Sequence, residues 1–144
     1  MNTPALSLFL LHEPSSAEMA AAKTHQQPSG FPSPATDYLE ERINLSRILI
    51  SNPTSTYLAR IQGGAHEETG LQEGDLLLID RSITPRSGKL VLVWEDQEFT
   101  VKFLLKQGKS YFLTSRATPS SKDRIPVESG TKIWGVVTQW IRAV

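Results

Sequence analysis

The chain has 144 residues, with fifteen basic and fifteen acidic side chains, so its formal net charge at pH 7 is zero. This length fits one ordinary domain, whose core is large enough to fold without covalent staples. The sequence contains no cysteine, which excludes a disulfide framework and a cysteine-ligated metal site. The balanced charge offers no basic field for direct binding to nucleic acid. The apolar run 5–11 is too short to span a membrane.

The first element in chain order is an N-terminal arm, predicted over residues 1–36. Prolines recur there between Ser, Thr, Gln and Ala, and no helical or strand period persists, which is typical of an extended or flexible segment. Pro28, Pro32 and Pro34 flank Ser29–Gly30 and prevent a stable helix across that bond. An extended bond of this kind suits a protease substrate, and the same composition also suits an ordinary proline-rich linker.

A short helix and then a series of strands are predicted after the arm. Asp37 can cap the helix, with Glu40 three residues later as in a capping box, and Asn52-Pro53 ends it. Apolar segments between turn residues follow at 57–61, 76–79, 90–94, 98–105, 111–114 and Lys132–Ile141. Residues 95–97 are predicted as a hairpin loop, and Gly135 as a β-bulge. This spacing predicts a mainly β fold with an antiparallel, barrel-like sheet.

Five short motifs carry a resemblance to a known family. They are GFPSPA at 30–35, STY at 55–57, GDLL at 74–77, EFTVK at 98–102 and WGVV at 134–137. Each motif alone is weak, whereas their order and spacing together are specific. From residue 30 onward the chain therefore resembles the UmuD branch of the LexA-like self-cleaving serine peptidases. The resemblance implies a LexA/signal-peptidase-like β domain over residues 37–144, preceded by the arm.

The resemblance also implies a catalytic site and a cleavage site. In this family a Ser–Lys pair cuts the chain's own arm just before the GFPSP stretch. By position, Ser29–Gly30 is the scissile bond and Lys102 the general base, while Ala65 stands at the position of the nucleophilic serine. Because loss of the nucleophile in a comparable protease costs about 10⁶-fold in rate, Ala65 argues that the chain is inactive as a peptidase.

Two origins of Ala65 are compatible with the sequence. The family's loop reads roughly Ser-Gly-Asp-Ser-Met, and Gly64, Ala65 and His66 all depart from that pattern, while Gly63 matches it. A deliberate Ser→Ala change would alter one residue. Three neighbouring departures therefore favour natural divergence.

Lys102 and His66 each have a second interpretation from spacing alone. Strand alternation would put Lys102 on a solvated face with Glu98 and Thr100, whereas a lysine base requires burial that lowers its pKa toward about 7–8. The family position favours the base. We interpret His66 as an exposed loop histidine, in preference to a substitute base or a metal ligand. No cofactor or metal is predicted.

The partners implied by the resemblance belong to the SOS response to DNA damage. UmuD-like proteins are cytoplasmic homodimers, their self-cleavage is stimulated by a RecA filament, and the shortened form joins a UmuC-type polymerase in error-prone translesion synthesis. The chain is thus expected to be such an accessory protein, without direct sequence-specific nucleic-acid binding and without a membrane. Four apolar positions are expected to support the dimer: Ile133, Trp134, Val136 and Trp140.

Two further functions remain open at this point. One is a non-cleavable regulatory module that dimerises with active relatives and restrains them. The other is an active processing peptidase whose nucleophile lies elsewhere in the chain. Incubating the purified chain alone would separate the last from the others, because only an active peptidase shortens itself.

Overall fold

The computed structural model of this protein describes residues 6–10, 43–116, 123–127 and 130–144. These residues contain one short α-helix, α1 (Leu45–Leu49), and eight strands. The strands are β1 (Leu6–Leu10), β2 (Thr56–Ile61), β3 (Leu76–Asp80), β4 (Leu90–Glu95), β5 (Glu98–Gln107), β6 (Ser110–Thr114), β7 (Ile125–Pro126) and β8 (Lys132–Ile141).

All eight strands belong to a single sheet in the order β1-β2-β3-β8-β4-β5-β6-β7, and every neighbouring pair is antiparallel. The sheet curls into a half-barrel, which confirms the predicted mainly β class. The predicted hairpin is also confirmed, because Glu95 pairs with Glu98 and only two residues form the turn. Those two, Asp96 and Gln97, both have positive φ, as a type I′ turn requires.

The long strand β8 joins the two halves of the sheet, because it pairs with β3 on one edge and with β4 on the other. The register with β4 shifts between Leu92 and Val93, opposite Gly135 and Ile133, so the predicted bulge lies in this part of β8. A Cβ atom at Gly135 would come within 2.6 Å of Ile79 Cγ2. Glycine is therefore required here by the close approach of β3.

Apolar side chains cover both faces of the middle of the sheet. Leu92 belongs to one core cluster, whereas its neighbours Val91 and Val93 belong to a second, because successive side chains of a strand point to opposite faces. The first cluster also contains Leu6, Ala59, Ile61, Leu71, Leu77, Ile79 and Val101. The second also contains Leu104, Leu113 and Val136. Burial on both faces explains why simple alternation misjudges Lys102 on strand β5.

Part of the predicted arm is an ordered strand. Leu6 pairs with Ile61 and Leu8 with Ala59, and Leu6 is buried in the first core cluster. The prediction of an arm without strand structure therefore does not hold for Leu6–Leu10, where alternate leucines reach the core. The bond Ser29–Gly30, and Asp37 and Glu40 of the predicted cap, lie outside the described residues.

The short helix α1 is capped by Asn44, whose side-chain Oδ1 accepts a hydrogen bond from Arg47 N at 3.4 Å. The helix ends before Ile50, and Pro53 then starts a single 3-10 turn that leads into β2. None of the residues of α1 is buried. Its apolar side chains Leu45 and Ile48, and Ile43 just before it, are 62%, 65% and 73% exposed, so the chain does not use them for its own described core.

Candidate functional site

The predicted nucleophile position lies in the loop between β2 and β3. Two backbone hydrogen bonds close the base of this loop: Ile61 N donates to Asp75 O at 2.9 Å, and Gly74 N donates to Ile61 O at 2.8 Å. Leu71, within the loop, is fully buried in the first core cluster. The loop is thus a folded part of the domain, attached to its core.

The tip of the loop, residues 63–65, is exposed to solvent. Gly63 has φ +67°, and a Cβ atom there would meet nothing within 4 Å, so only its backbone conformation favours glycine. A Cβ atom at Gly64 would come within 2.9 Å of Glu67 Oε1, the end of a flexible side chain. Ala65 therefore presents a methyl group, without a nucleophile, at an open position.

His66 is buried, with 4% of its surface exposed, so the interpretation as an exposed loop histidine is wrong. Its Nε2 accepts a hydrogen bond from Val101 N of β5 at 3.0 Å. Its carbonyl oxygen accepts from Thr69 N and Leu71 N at 3.1 and 3.2 Å. Sequence spacing does not reveal this role, because the side-chain bond joins residues 35 positions apart.

The neutral form of His66 is the one that fits this site. Nε2 can accept the Val101 N–H only if the ring proton is on Nδ1, and Nδ1 is buried without a hydrogen-bond partner among the described residues. Burial lowers the pKa of His66, Lys102 adds to that effect, and Glu98 opposes it. The imidazole is therefore an uncharged acceptor at neutral pH.

Lys102, the predicted base, is half-buried on β5. It pairs with Val91 of β4, a member of the second core cluster, so its face of the strand is less solvated than alternation predicted. Its Nζ lies 4.0 Å from Glu95 Oε2, and the two side chains are 18% and 30% exposed. Glu95 is therefore the ion-pair partner that the structure shows for Lys102.

The structure brings together the two segments that carry the predicted dyad. The hydrogen bond from Val101 to His66 joins the residue before Lys102 to the residue after Ala65. The neighbouring 3-10 turn, Glu67–Thr69, also packs near β5. A second link crosses from the loop to the end of β6, where Arg116 Nη2 lies 3.5 Å from Glu68 Oε1 on the surface.

The far half of the loop is anchored to the C-terminal end of the chain by a buried carboxylate. Asp75, 2% exposed, accepts hydrogen bonds from Arg142 Nε and Nη2 at 2.8 and 2.7 Å, from Trp140 Nε1 at 2.9 Å and from Gln72 N at 2.8 Å. Arg142 Nη2 also donates to Gly70 O at 2.7 Å. The hydrogen bond from Arg142 is the main cause that holds the pKa of Asp75 far below its usual value.

A second buried carboxylate, Asp80, fixes the start of β2 against the end of β3. Asn52 Nδ2 and Ser55 Oγ donate to it at 2.8 Å, and Ser82 donates through N and Oγ at 2.8 and 2.7 Å. Burial raises the pKa of Asp80, but these hydrogen bonds outweigh burial, so the pKa falls below its usual value. Ser82 thereby closes a turn directly after Asp80 through its backbone and its side chain.

The apolar positions expected to support a dimer are largely used inside the domain. Val136 is buried in the second cluster, Ile133 packs against that cluster, and Trp134 packs against the first. Trp134 also stacks edge-on with Tyr57 and Phe99, at 4.7 and 5.4 Å between ring centroids. The fourth, Trp140, is 41% exposed. Dimerisation stays a prediction, and the exposed side chains beside and within α1 are the better support for it.

Neither metal-binding clusters nor membrane helices stand out in the described part of the chain. It contains no group of three or more His, Cys, Asp or Glu side chains that could hold a metal ion. None of its helices is long and apolar enough to cross a membrane. A groove of about 740 Å³ is lined by Thr84, Pro85, Leu104, Tyr111, Val127 and Ile133 among others. Ala65, His66 and Lys102 do not line this groove.

The comparisons with known proteins agree on one protein family. The family model described as peptidase S24-like matches residues 24–138. The chain is similar to Protein ImpA of Escherichia coli, with 39% identity over 113 residues, 78% of this chain and 77% of that protein. It is similar to Protein MucA of Escherichia coli, with 34% identity over 131 residues, 82% of this chain and 86% of that protein. It also resembles the LexA repressor of Shewanella piezotolerans, with 29% identity over 70% of this chain and 48% of the repressor.

Proposed function

Since the chain belongs to the peptidase S24-like family and its relatives are UmuD-like, we propose that it is an accessory protein of an error-prone translesion DNA polymerase. It acts in the SOS response to DNA damage and derives from a self-peptidase that a RecA filament stimulates. The main observation behind an accessory role without self-cleavage is Ala65 at the position of the nucleophile. The family scaffold is present, and the hydroxyl that self-cleavage requires is absent from position 65.

The chemistry available at this site supports a binding role. An acyl transfer of the Ser–Lys type needs a hydroxyl nucleophile and a lysine that removes its proton. Lys102 supplies the amine, Glu95 lies beside it, and Ala65 supplies no atom that attacks a carbonyl. Self-cleavage at Ser29–Gly30 is therefore not expected of this chain, and removal of the arm would require another protease.

Homodimerisation forms part of the proposal, and the helix region supports it. Ile43, Leu45 and Ile48 are mostly exposed, and a cluster of exposed apolar side chains typically marks an interaction site. Ile48→Asp should lower the dimer fraction measured by sedimentation at micromolar concentration. Ser46→Asp, at an exposed position of the same short helix, adds the same single charge and is the control. A monomeric parent chain would contradict this part of the proposal.

Co-expression with a UmuC-type polymerase tests the proposed function. A polymerase subunit should co-purify with that polymerase and should raise damage-induced mutagenesis in cells that lack their own UmuD-like protein. A chain that neither co-purifies nor raises mutagenesis would contradict the proposal.

A non-cleavable regulatory module is the second candidate, and Ala65 favours it too. A chain that dimerises with active relatives but cannot cut itself would hold part of their population in an unprocessed form. Adding this chain to cells that carry an active relative distinguishes the two candidates. A regulatory module lowers damage-induced mutagenesis in a dose-dependent way, whereas a polymerase subunit raises it.

A further inference from the structure

The edge of β5 that turns away from β4 is only partly paired. On that edge, β6 pairs with β5 from Phe103 to Gln107, where Phe103 lies opposite Thr114. Backbone groups of alternate residues point to the same side of an antiparallel strand, so Val101 offers its N–H on the edge that Phe103 uses for β6. Among the described residues no strand continues this pairing beyond Phe103.

His66 occupies the edge at this point. Its Nε2 accepts the Val101 N–H at 3.0 Å, and its ring is almost completely buried. An extended peptide that adds to a strand edge needs such a backbone group for its main-chain hydrogen bonds. The imidazole and an added peptide therefore compete for the same donor, next to Ala65 and Lys102 in the chain.

The His66 ring makes only part of the hydrogen bonds that a buried imidazole can make. Nδ1 is buried and has no hydrogen-bond partner among the described residues, and the same holds for Oγ1 of Thr100, which precedes Val101 in the chain. A histidine kept only for packing would be expected to satisfy its second nitrogen, since buried polar groups are normally hydrogen-bonded. The bond to Val101 is thus the polar interaction that fixes the ring.

We propose that His66 is a positioning residue that closes the free edge of β5 at Val101 and so excludes an extended peptide from the site beside Lys102. The excluded peptide is the chain's own segment around Ser29–Gly30. This identification of the peptide rests on the proposed function. The sequence predicts no helix for this segment, because it contains prolines at 28, 32 and 34, and an extended segment is what addition to a strand edge requires. The family that this chain resembles has Met at this position. The thioether sulfur of Met is only a weak acceptor for the Val101 N–H.

Peptide binding to the full-length chain tests the closure without any need for cleavage. The probe is a fluorescent synthetic peptide of residues 26–35, and the proteins are the parent chain, His66→Met and His66→Gln. In all three proteins residues 26–35 are replaced by a Gly/Ser segment of equal length, so that the tethered segment does not compete with the probe. Met removes the strong acceptor, whereas Gln retains one in its side-chain amide oxygen. His66→Met should bind the peptide about tenfold more tightly than the parent, because one competing hydrogen bond is lost, and His66→Gln should stay close to the parent.

Hydrogen exchange at the Val101 amide shows whether the substitutions act as intended. In the absence of peptide, this amide should exchange faster in His66→Met than in the parent and in His66→Gln. Added peptide should slow its exchange in His66→Met. Faster exchange without any gain in peptide binding would overturn the proposal, as would equal gains in His66→Met and His66→Gln.

A self-cleavage assay tests the proposal on His66 and the proposed descent from a self-peptidase separately. Ala65→Ser/His66→Met should cut at Ser29–Gly30 at least tenfold faster than Ala65→Ser/His66→Gln. If neither variant cuts, the inherited dyad is refuted, and the peptide-binding comparison alone then decides on His66. If Ala65→Ser/His66→Gln cuts as fast as Ala65→Ser/His66→Met, the edge-closing role is refuted.

Discussion

The two halves of the loop between β2 and β3 are held in very different ways. The tip, residues 63–65, is exposed, and a Cβ atom added at either of its glycines would meet at most the flexible side chain of Glu67. The far half contains buried His66, Leu71 and Asp75 and is bonded to β5 and to Arg142. This difference shows that the nucleophile position and the residues that anchor the loop lie in different parts of the loop. Residues 63–65 can therefore change in sequence while the contacts that hold the loop in the domain stay the same.

Removing the anchor at Asp75 should have the largest effect on stability. Asp75→Ala is expected to lower the free energy of unfolding by about 3 kcal/mol, because Arg142, Trp140 and the Gln72 amide lose a buried, charged acceptor. Urea unfolding followed by tryptophan fluorescence measures this loss. Glu73→Ala, a nearby exposed carboxylate, should change it by less than about 0.5 kcal/mol. If both substitutions lowered the free energy of unfolding equally, Asp75 would not be an anchor of the far half of the loop.

The same anchor should make stability depend on acid. The folded-state pKa of Asp75 lies below its unfolded value, mainly through Arg142. The unfolded chain therefore binds the proton first as pH falls, and stability is lost below about pH 4. The free energy of unfolding should fall less steeply for Asp75→Asn than for the parent between about pH 6 and about pH 3. Parallel curves would show that Asp75 does not contribute in this way.

Substitutions at the tip should lower the free energy of unfolding by less than Asp75→Ala does. Gly63→Ala should cost about 1 kcal/mol, because φ is +67° and a non-glycine residue is strained there. Gly64→Ala, without positive φ, should cost less than Gly63→Ala, since only the end of the Glu67 side chain must move. The same urea series measures both. A cost at Gly64 equal to that of Asp75→Ala would mean that the tip is also an anchor.

Much of the fold could be predicted because its signals are local. The structure has strand β8 at the apolar run Lys132–Ile141, as the sequence indicates, and the predicted hairpin loop at 95–97 is a turn of two residues, 96–97, because Glu95 is the last residue of β4. Strand β1 was missed because five residues, with prolines nearby in the chain, give too short a pattern. Its partner β2 lies about fifty positions away in the chain.

The candidate site could be predicted only in outline. Family spacing indicated the segments of Ala65 and Lys102, and the structure joins these segments through their neighbours His66 and Val101. The burial of His66 and the anchor between Asp75 and Arg142 depend on contacts between distant parts of the chain. A carboxylate or an imidazole has no local pattern that reveals such contacts, so spacing alone gave an exposed histidine.

Restoring the hydroxyl tests most directly whether the chain has kept a scaffold that lacks only its nucleophile. Ala65→Ser, alone and combined with His66→Met, is held at alkaline pH, because a general base must be unprotonated to act, and is followed by mass spectrometry. We predict a fragment that begins at Gly30, faster in the double variant and absent when Lys102→Ala is added. Intact chains in all of these variants would show that the site has diverged beyond the nucleophile and would contradict the account.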